Sequence, residues 1–359
     1  MYDIIISGAG PVGSYLASLC ARRMEVLVLE EDKEAGNKAC SGLVSERFLK
    51  LTDSQAVVLP DTVQHKVGGA VIHFMGSDIE ISKEKECFYV LDRDLLDKRM
   101  AENAESCGCE IRYGERVTGF SSGKDRITVK TGKGSYESRM VAGCDGARSA
   151  AASHMGSRPL EMVNGLIEII DVPDHSGRVE MWFDPERNND GFFWRIPRGE
   201  NTEYGVMGKK ADFRMLEGFF ETNRKRVSKR WASPIPLGTA KTYGERMILV
   251  GDAACQTKPW SGGGLTYGIL AADAAAPVIR KAVDKNDFSP RTLSAYEDAW
   301  SKIFGKDIKM GLVAREVYKN MAELGEEKIR QLVSSLKEKQ QEIDFDFPFS
   351  HVMGDSFEI

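Results

Sequence analysis

Tyr2-Asp-Ile-Ile-Ile-Ser-Gly8-Ala-Gly10-Pro11-Val12-Gly13 runs from an apolar stretch of strand length straight into three glycines, and residues 11–22 then carry a helical pattern. Gly8 permits a tight turn, Gly10 lets the backbone approach a ligand, and Gly13 lets helix and strand pack closely. The first N–H groups of a helix have no partner within it, so such a turn offers donors and a positive dipole end to an anion. A second apolar run, Glu25-Val26-Leu27-Val28-Leu29-Glu30, closes on an acid 17 residues beyond Gly13. That is close to the roughly 20 expected for a carboxylate that accepts bonds from an adenosine ribose. Gly8, Gly10, Pro11, Val12, Gly13, Glu30 and its neighbour Glu31 are therefore the candidate contacts of a dinucleotide.

A nicotinamide enzyme would need only one such fingerprint followed by a catalytic domain, and three further segments favour FAD. Met247-Ile-Leu-Val-Gly251-Asp252 reads as a buried strand ending in Gly-Asp, followed by Pro259, the run Gly262-Gly263-Gly264, and an apolar helix starting at Leu265. An aspartate at such a strand end can bond ribityl hydroxyls, and the glycine turn would aim a helix N-terminus at the flavin edge where negative charge collects on reduction. Val141-Ala-Gly-Cys144-Asp145-Gly146-Ala-Arg148-Ser149 is another strand ending in Asp-Gly. Asp-Gly also marks hairpin turns, and by itself this segment reads as one.

In this order and spacing the pieces resemble the FAD-dependent family that includes aromatic hydroxylases, flavin halogenases and geranylgeranyl reductases, over residues 1–310. The resemblance implies an α/β fold with interleaved α+β parts: a Rossmann-type FAD-binding domain, an antiparallel-sheet substrate domain and C-terminal helices. The expected division is 1–60, 92–160 and 240–285 for the FAD-binding part, 61–91 and 161–239 for the substrate part, and 286–359 for a helical C-terminal segment. Arg93, in Leu91-Asp92-Arg93-Asp94-Leu95-Leu96-Asp97, fits the arginine that this family carries near the flavin. Val117 joins the implied cofactor contacts, as does Asp145.

The 359 residues, 42% of them hydrophobic, suffice for two interleaved cores. A net charge of −5 and five scattered histidines offer no basic face for nucleic acid. Seven cysteines stand in no metal-binding spacing, so no metal is expected and a reducing interior fits. Cys20 and Cys144 read as core residues, and Cys107-Gly-Cys109 as packing rather than a redox pair. No run of 18 apolar residues could cross a bilayer and the first strand starts at Tyr2. The expectation is a cytoplasmic chain, soluble or peripheral to a membrane.

Short strands are expected over 67–74, 78–81, 87–91, 110–113, 115–120, 126–130 and 136–143, and a second set over 167–172, 178–183, 191–196 and 203–207. Residues 94–107 and 211–229 read as helices, the latter amphipathic and rich in Lys and Arg. From 289 to about 341 the chain reads as a docked helix pair, with Val313, Val317, Met321, Leu324, Ile329, Leu332, Val333 and Leu336 at helical spacing. The acidic, aromatic tail 344–359 is expected to fray.

Two segments bear on the substrate. Asn37-Lys38-Ala39-Cys40-Ser41-Gly42 resembles the Lys-Pro-Cys-Gly-Gly loop of geranylgeranyl reductases, matching at Lys38, Cys40 and Gly42 and departing at Ala39 and Ser41. This family threads that loop past the ribityl chain toward the flavin, so the resemblance also makes Lys38, Ala39, Cys40, Ser41 and Gly42 cofactor contacts. Phe192-Phe-Trp194-Arg-Ile196-Pro197-Arg198 with Gly205 resembles their Tyr-x-Trp-x-Phe-Pro-Lys-x6-Gly, matching at Trp194, Pro197 and Gly205. Residues 191–197 also match the halogenase pattern Gly-Trp-x-Trp-x-Ile-Pro except at Phe192, so a halogenase or an aromatic-ring monooxygenase is the alternative. Length and the Cys40 loop speak against a halogenase, and neither that loop nor the Trp194 motif is a mark of aromatic hydroxylases.

The resemblance thus implies an oxidoreductase of lipid biosynthesis in which reduced FAD saturates isoprenoid C=C bonds of a geranylgeranyl lipid. Phe192, Trp194, Pro197 and Trp260 would hold the chain, and hydride from flavin N5 would be matched by a proton from Cys40 or a water. No second dinucleotide fingerprint follows, so electrons would come from an external donor: a nicotinamide, a ferredoxin or another carrier. An iron–sulfur electron-transfer flavoprotein would need four correctly spaced cysteines, which this chain lacks; a flavin-binding regulator without turnover is the non-enzyme reading.

Overall fold

The computed structural model describes all residues except 56, 58–59, 83–86, 222–225, 322–330, 332–333, 335–337, 339–342 and 350–359. The opening motif folds as β1 (Tyr2–Ser7), α1 (Pro11–Ala21) and β2 (Val26–Glu30), and the chain then passes through β3 (Leu43–Ser45) and α2 (Glu46–Thr52). Next come β4 (Val63–Val67), β5 (Gly69–Phe74), β6 (Ser77–Ser82), β7 (Phe88–Leu91) and α3 (Arg93–Ser106). Asp92 caps α3, accepting a bond from the Leu95 N–H at 3.1 Å. Strands β8 (Glu110–Tyr113), β9 (Val117–Ser122), β10 (Ile127–Thr131) and β11 (Ser135–Gly143) lead to the short α4 (Ala150–His154).

The second half begins with β12 (Glu161–Ile170), β13 (Arg178–Phe183), β14 (Phe192–Pro197), β15 (Thr202–Gly208), α5 (Phe213–Phe220) and β16 (Val227–Leu237). Two short strands, β17 (Tyr243–Gly244) and β18 (Met247–Leu249), precede α6 (Leu265–Lys285), α7 (Pro290–Trp300) and α8 (Lys306–Lys319).

One sheet runs β17-β18-β11-β1-β2-β8, with β10 and β9 extending from β11. Its centre is parallel: β1 pairs in parallel with β11 and β2, and β11 with β18. Ile4, Ile5, Ile6 and all five residues of β2 are buried, the unbroken apolar pattern of strands covered on both faces. Helix α1 packs between α3 and α6 on one face. The second sheet runs β16-β12-β15-β14-β13-β5-β6 and is antiparallel except where β13 meets β5. A small third sheet, β3-β7-β4, has β5 and β6 of the second sheet inserted between its strands β4 and β7.

The structure corrects three expectations. Residues 211–229 are not one helix: α5 stops at Phe220, and Val227 onward is β16, paired with β12 along its whole length. Strand β16 is a sheet edge, where its basic side chains reach water and Pro234 and Pro236 are tolerated. Val313 and Val317 are exposed, and the buried face of α8 carries Ile308, Gly311 and Arg315 instead. Met321 is buried, Leu324, Ile329, Leu332, Val333 and Leu336 lie outside the described residues.

The third correction is the tail, which is docked over residues 343–349; the remainder lies outside the described residues. Asp346 accepts bonds from Lys258 Nζ at 2.7 Å and Ser45 Oγ at 2.5 Å. Phe347 stacks on Tyr267 at 5.8 Å between ring centroids.

Candidate active site

Helices α1 and α6 both begin on glycine, Gly10 and Gly264, with no capping side chain. By contrast α3, α4, α5 and α7 are capped by Asp92, Ser149, Asp212 and Ser289. The starts of α1 and α6 lie close together: a Cβ on Gly251 would lie 3.2 Å from the Val12 side chain, and one on Gly268, in the first turn of α6, 2.3 Å from it. A Cβ on Gly13 would sit 2.0 Å from the Gly8 carbonyl oxygen, whereas one on Gly10 would meet nothing within 4 Å. Gly8 and Gly13 are thus fixed by packing, and the space at Gly10 is open. Unpartnered N–H groups beside an open glycine suit a pyrophosphate.

At the end of β2 the Glu30 carboxylate is buried and accepts bonds from the N–H of Ala9 at 2.7 Å and of Asp32 at 3.0 Å. Lys38 Nζ bonds Asp32 at 2.5 Å and lies 4.0 Å from Glu30. Glu31 is exposed and pairs with Arg116 at 3.5 Å, which sets Val117, the first residue of β9, beside the same corner. Asp145 is committed elsewhere: Ser149 Oγ and the N–H groups of Ala150 and Ala151 donate to it at the start of α4. Burial raises the Asp145 carboxyl pKa against those donors.

At the start of α3, Arg93 forks onto Asp97 with bonds of 2.9 and 3.0 Å. Burial works against its charge, but Asp97 and then Cys40 outweigh that and leave the guanidinium above its ordinary range. Asp252 makes no side-chain hydrogen bond among the described residues. Burial raises its pKa and the Arg93 charge pulls it back. Its Oδ1 would stand 2.7 Å from a Cβ on Gly264, so the glycine lets the carboxylate and the α6 N-terminus close on one space. An unsatisfied carboxylate, a buried arginine and two open helix ends fit a flavin dinucleotide.

The Cys40 loop is zipped to β7. The Leu91 N–H donates to the Gly42 carbonyl at 2.9 Å, and the Gly42 N–H reaches Cys40 Sγ at 3.4 Å. Ala39 and Ser41 flank the thiol in the same loop, and Leu43 packs on the core of the second sheet. In that core Phe192, Trp194 and Ile196 share one face of β14, with the Phe192 and Trp194 rings 5.4 Å apart. Phe193, on the opposite face, stacks on Phe219 of α5. Pro197 is buried at the end of β14. A Cβ on Gly262 would lie 2.9 Å from Met207 and Ile235 side chains, so the glycine turn leans on this wall, while Gly263 is exposed and Leu265 opens α6. Pro259 packs at Gly311 of α8, and Trp260, two residues past Lys258, has a buried indole N–H with no partner among the described residues.

Glu203 and Gln256 have no counterpart in the sequence reading, and Arg198 figured there only as the basic position of the Trp194 motif. Trp194 Nε1 donates to Glu203 at 2.8 Å, Arg198 pairs with Glu203 at 2.6 Å, and Gln256 accepts from the Gly251 N–H at 2.7 Å. A glutamate in a strand reads as solvent-facing, so nothing in the local pattern marks Glu203. Gly205 was the available signal: a Cβ there would fall 2.0 Å from the Trp194 indole, which lies across it.

The chain matches the family described as "FAD binding domain" over residues 1–299. It is 29% identical to the digeranylgeranylglycerophospholipid reductase of Methanosarcina acetivorans, over 94% of this chain and 89% of that one. Its fold is similar to that of a geranylgeranyl bacteriochlorophyll reductase-like protein from Thermoplasma acidophilum (TM-score 0.87, 22% identity, 99% of this chain and 97% of that one). It is also similar to the halogenase PltM (TM-score 0.72, 14% identity, 97% and 87%).

Proposed function

The chain belongs to the FAD-binding-domain family, and from that premise we propose that this flavin-dependent oxidoreductase saturates isoprenoid C=C bonds of a geranylgeranyl-type glycerophospholipid. The observation that carries the reading is the placing of the Phe192-Trp194-Ile196 face in one apolar cluster with Leu43, three residues beyond Cys40. The reductase names of the relatives point the same way, and the likeness to a halogenase extends to fold alone.

Residues 1–60, 92–160 and 240–285 hold the cofactor in this reading, and 61–91 and 161–239 the lipid. When bound, reduced FAD supplies the hydride for one alkene carbon, and a proton completes the other. The chain's own part is to bind, align and keep dry. Gly10, Val12 and the α1 N-terminus receive the pyrophosphate, Glu30 orders the adenosine corner through Ala9, and Asp252 and Arg93 face the ribityl region. Phe192 and Trp194 give the prenyl chain an apolar slot with no competing hydrogen bonds. Cys40, or a water beside it, stands at the slot to deliver the proton. Electrons enter from an external carrier. No helix among the described residues is long and apolar enough to cross a membrane, and we place the lipid encounter at a peripheral contact.

Reduced, anaerobic protein is mixed with a geranylgeranyl glycerophospholipid and its visible spectrum followed. Return of oxidised flavin absorbance, with a product two mass units heavier per bond reduced, is expected. A flavin that stays reduced until oxygen and an aromatic compound are added would instead establish the oxygenating alternative.

A further inference from the structure

The buried ion pair Glu203–Arg198 sits between the aromatic wall and the Cys40 loop and touches both. Glu203 has no solvent exposure and the Arg198 side chain only 11%. Burying two charges costs several kcal/mol per ion, and apolar replacements of such pairs are often neutral or stabilising. Sheet stability alone therefore does not account for this pair, and its partners supply another reason.

One Glu203 oxygen accepts from Trp194 Nε1 at 2.8 Å and the other from Arg198 Nη1 at 2.6 Å. The same Arg198 nitrogen donates to the Ser41 carbonyl at 2.7 Å, and Nη2 donates to Gln64 Oε1 of β4 at 2.6 Å. The register makes this reach natural. Trp194 lies opposite Gly205 and Ile196 opposite Glu203, so the indole lies across the bare glycine toward the carboxylate two residues away on the same face. An indole ring could pack in either of two flipped orientations, and a single buried acceptor selects one.

We propose that Glu203 and Arg198 are positioning residues that lock the orientation of the Trp194 indole to the position of the Cys40 loop, so that prenyl chain and thiol are held in one register. This rests on the lipid-reductase reading for its consequence in turnover. The coupling itself is independent of that reading. Neither residue touches the reacting carbons: Glu203 acts through Trp194, and Arg198 through the Ser41 carbonyl. Losing the coupling leaves the apolar slot to bind the chain but misaligns it, which lowers kcat more than it raises KM.

Arg198→Lys is the diagnostic variant, because lysine keeps a cation for Glu203 but lacks the planar fork that reaches Ser41 and Gln64 together. Glu203→Gln keeps an acceptor for Trp194 and removes the charge that anchors Arg198. Cys40 alkylation by iodoacetamide, located by mass spectrometry in the folded protein, reads the freedom of the loop, and steady-state reduction of the lipid reads kcat and KM. In Arg198→Lys, with a thermal midpoint close to the parent's, Cys40 should label about tenfold faster. Its kcat should fall about tenfold while KM moves less than about threefold, a barrier change of about 1.4 kcal/mol. Labelling at the parental rate in both variants overturns the proposal even if turnover falls, and so does faster labelling with unchanged kcat. A chain that reduces no prenyl lipid sinks the proposed function, and the labelling comparison then decides the coupling by itself.

Discussion

Two glycines of the first turn carry different burdens, and substitution separates them. Gly13→Ala forces a methyl against the Gly8 carbonyl, a 2.0 Å approach to backbone that cannot rotate away. It should cost about 1–3 kcal/mol in urea unfolding of the apo-chain. Gly10→Ala places its methyl in open space and should leave that unfolding curve unchanged. It should instead weaken FAD binding, measured by quenching of flavin fluorescence, by about tenfold or about 1.4 kcal/mol. Equal losses of stability in the two variants would contradict the division of roles. At this scale the glycines, Glu30, Arg93 and Trp194 were readable because each departs from what a bare strand or helix needs. Arg198 was readable only as the basic position of the motif, and Glu203 not at all, because a charged residue in a strand looks like its solvent face until the partner strand is known. The Asp145 carboxylate, legible as a strand-end acid, turned out to be engaged by Ser149 and the α4 backbone.

Strand pairing fixes what a strand's own sequence leaves open. β14 and β15 are readable from their aromatic and β-branched content, but the reason for Gly205 appears only when the strands are set side by side. Gly205→Ala would push the Trp194 indole out of its seat. Overpacking there should lower stability by about 1–3 kcal/mol and raise KM for the prenyl lipid, checked by urea unfolding and steady-state kinetics. A variant with both quantities unchanged would mean that the indole has another resting place. β16 escaped notice because Lys229 and Arg230 lie amid a helical-looking polarity pattern, and only its edge position reconciles them with Pro234 and Pro236. α8 misled in the opposite sense. Its valines at helical spacing face water, and its buried side presents Gly311 to Pro259 and Arg315 to Glu161.

Across the whole molecule, distant segments close on one another, and the docked tail is the longest such reach. Burial alone would raise the Asp346 carboxyl pKa, but Lys258, Ser45 and Arg47 outweigh it and hold the value below the ordinary 3.8. A group depressed in the folded state stabilises fully above its unfolded value and loses that contribution as pH falls through the folded one. Asp346→Ala should therefore cost about 3 kcal/mol at pH 7, and the gap between parent and variant in urea midpoints should narrow once pH drops below 3.8. A gap that stays constant with pH would mean that the carboxylate charge is not what holds the tail. The segment 344–349 has one local turn, in which Asp344 accepts from the N–H groups of Asp346 and Phe347, and its contacts with Arg47, Lys258, Ser45 and Tyr267 dock it on the body. The parallel sheet makes the same point on a larger span: β1 is flanked by β11, and β11 by β18, which ends at Leu249. A ribosome adding about 5–20 residues per second must therefore extrude the chain through Leu249 before that sheet can be completed, and until then β11 has an uncovered flank that a chaperone would need to shield.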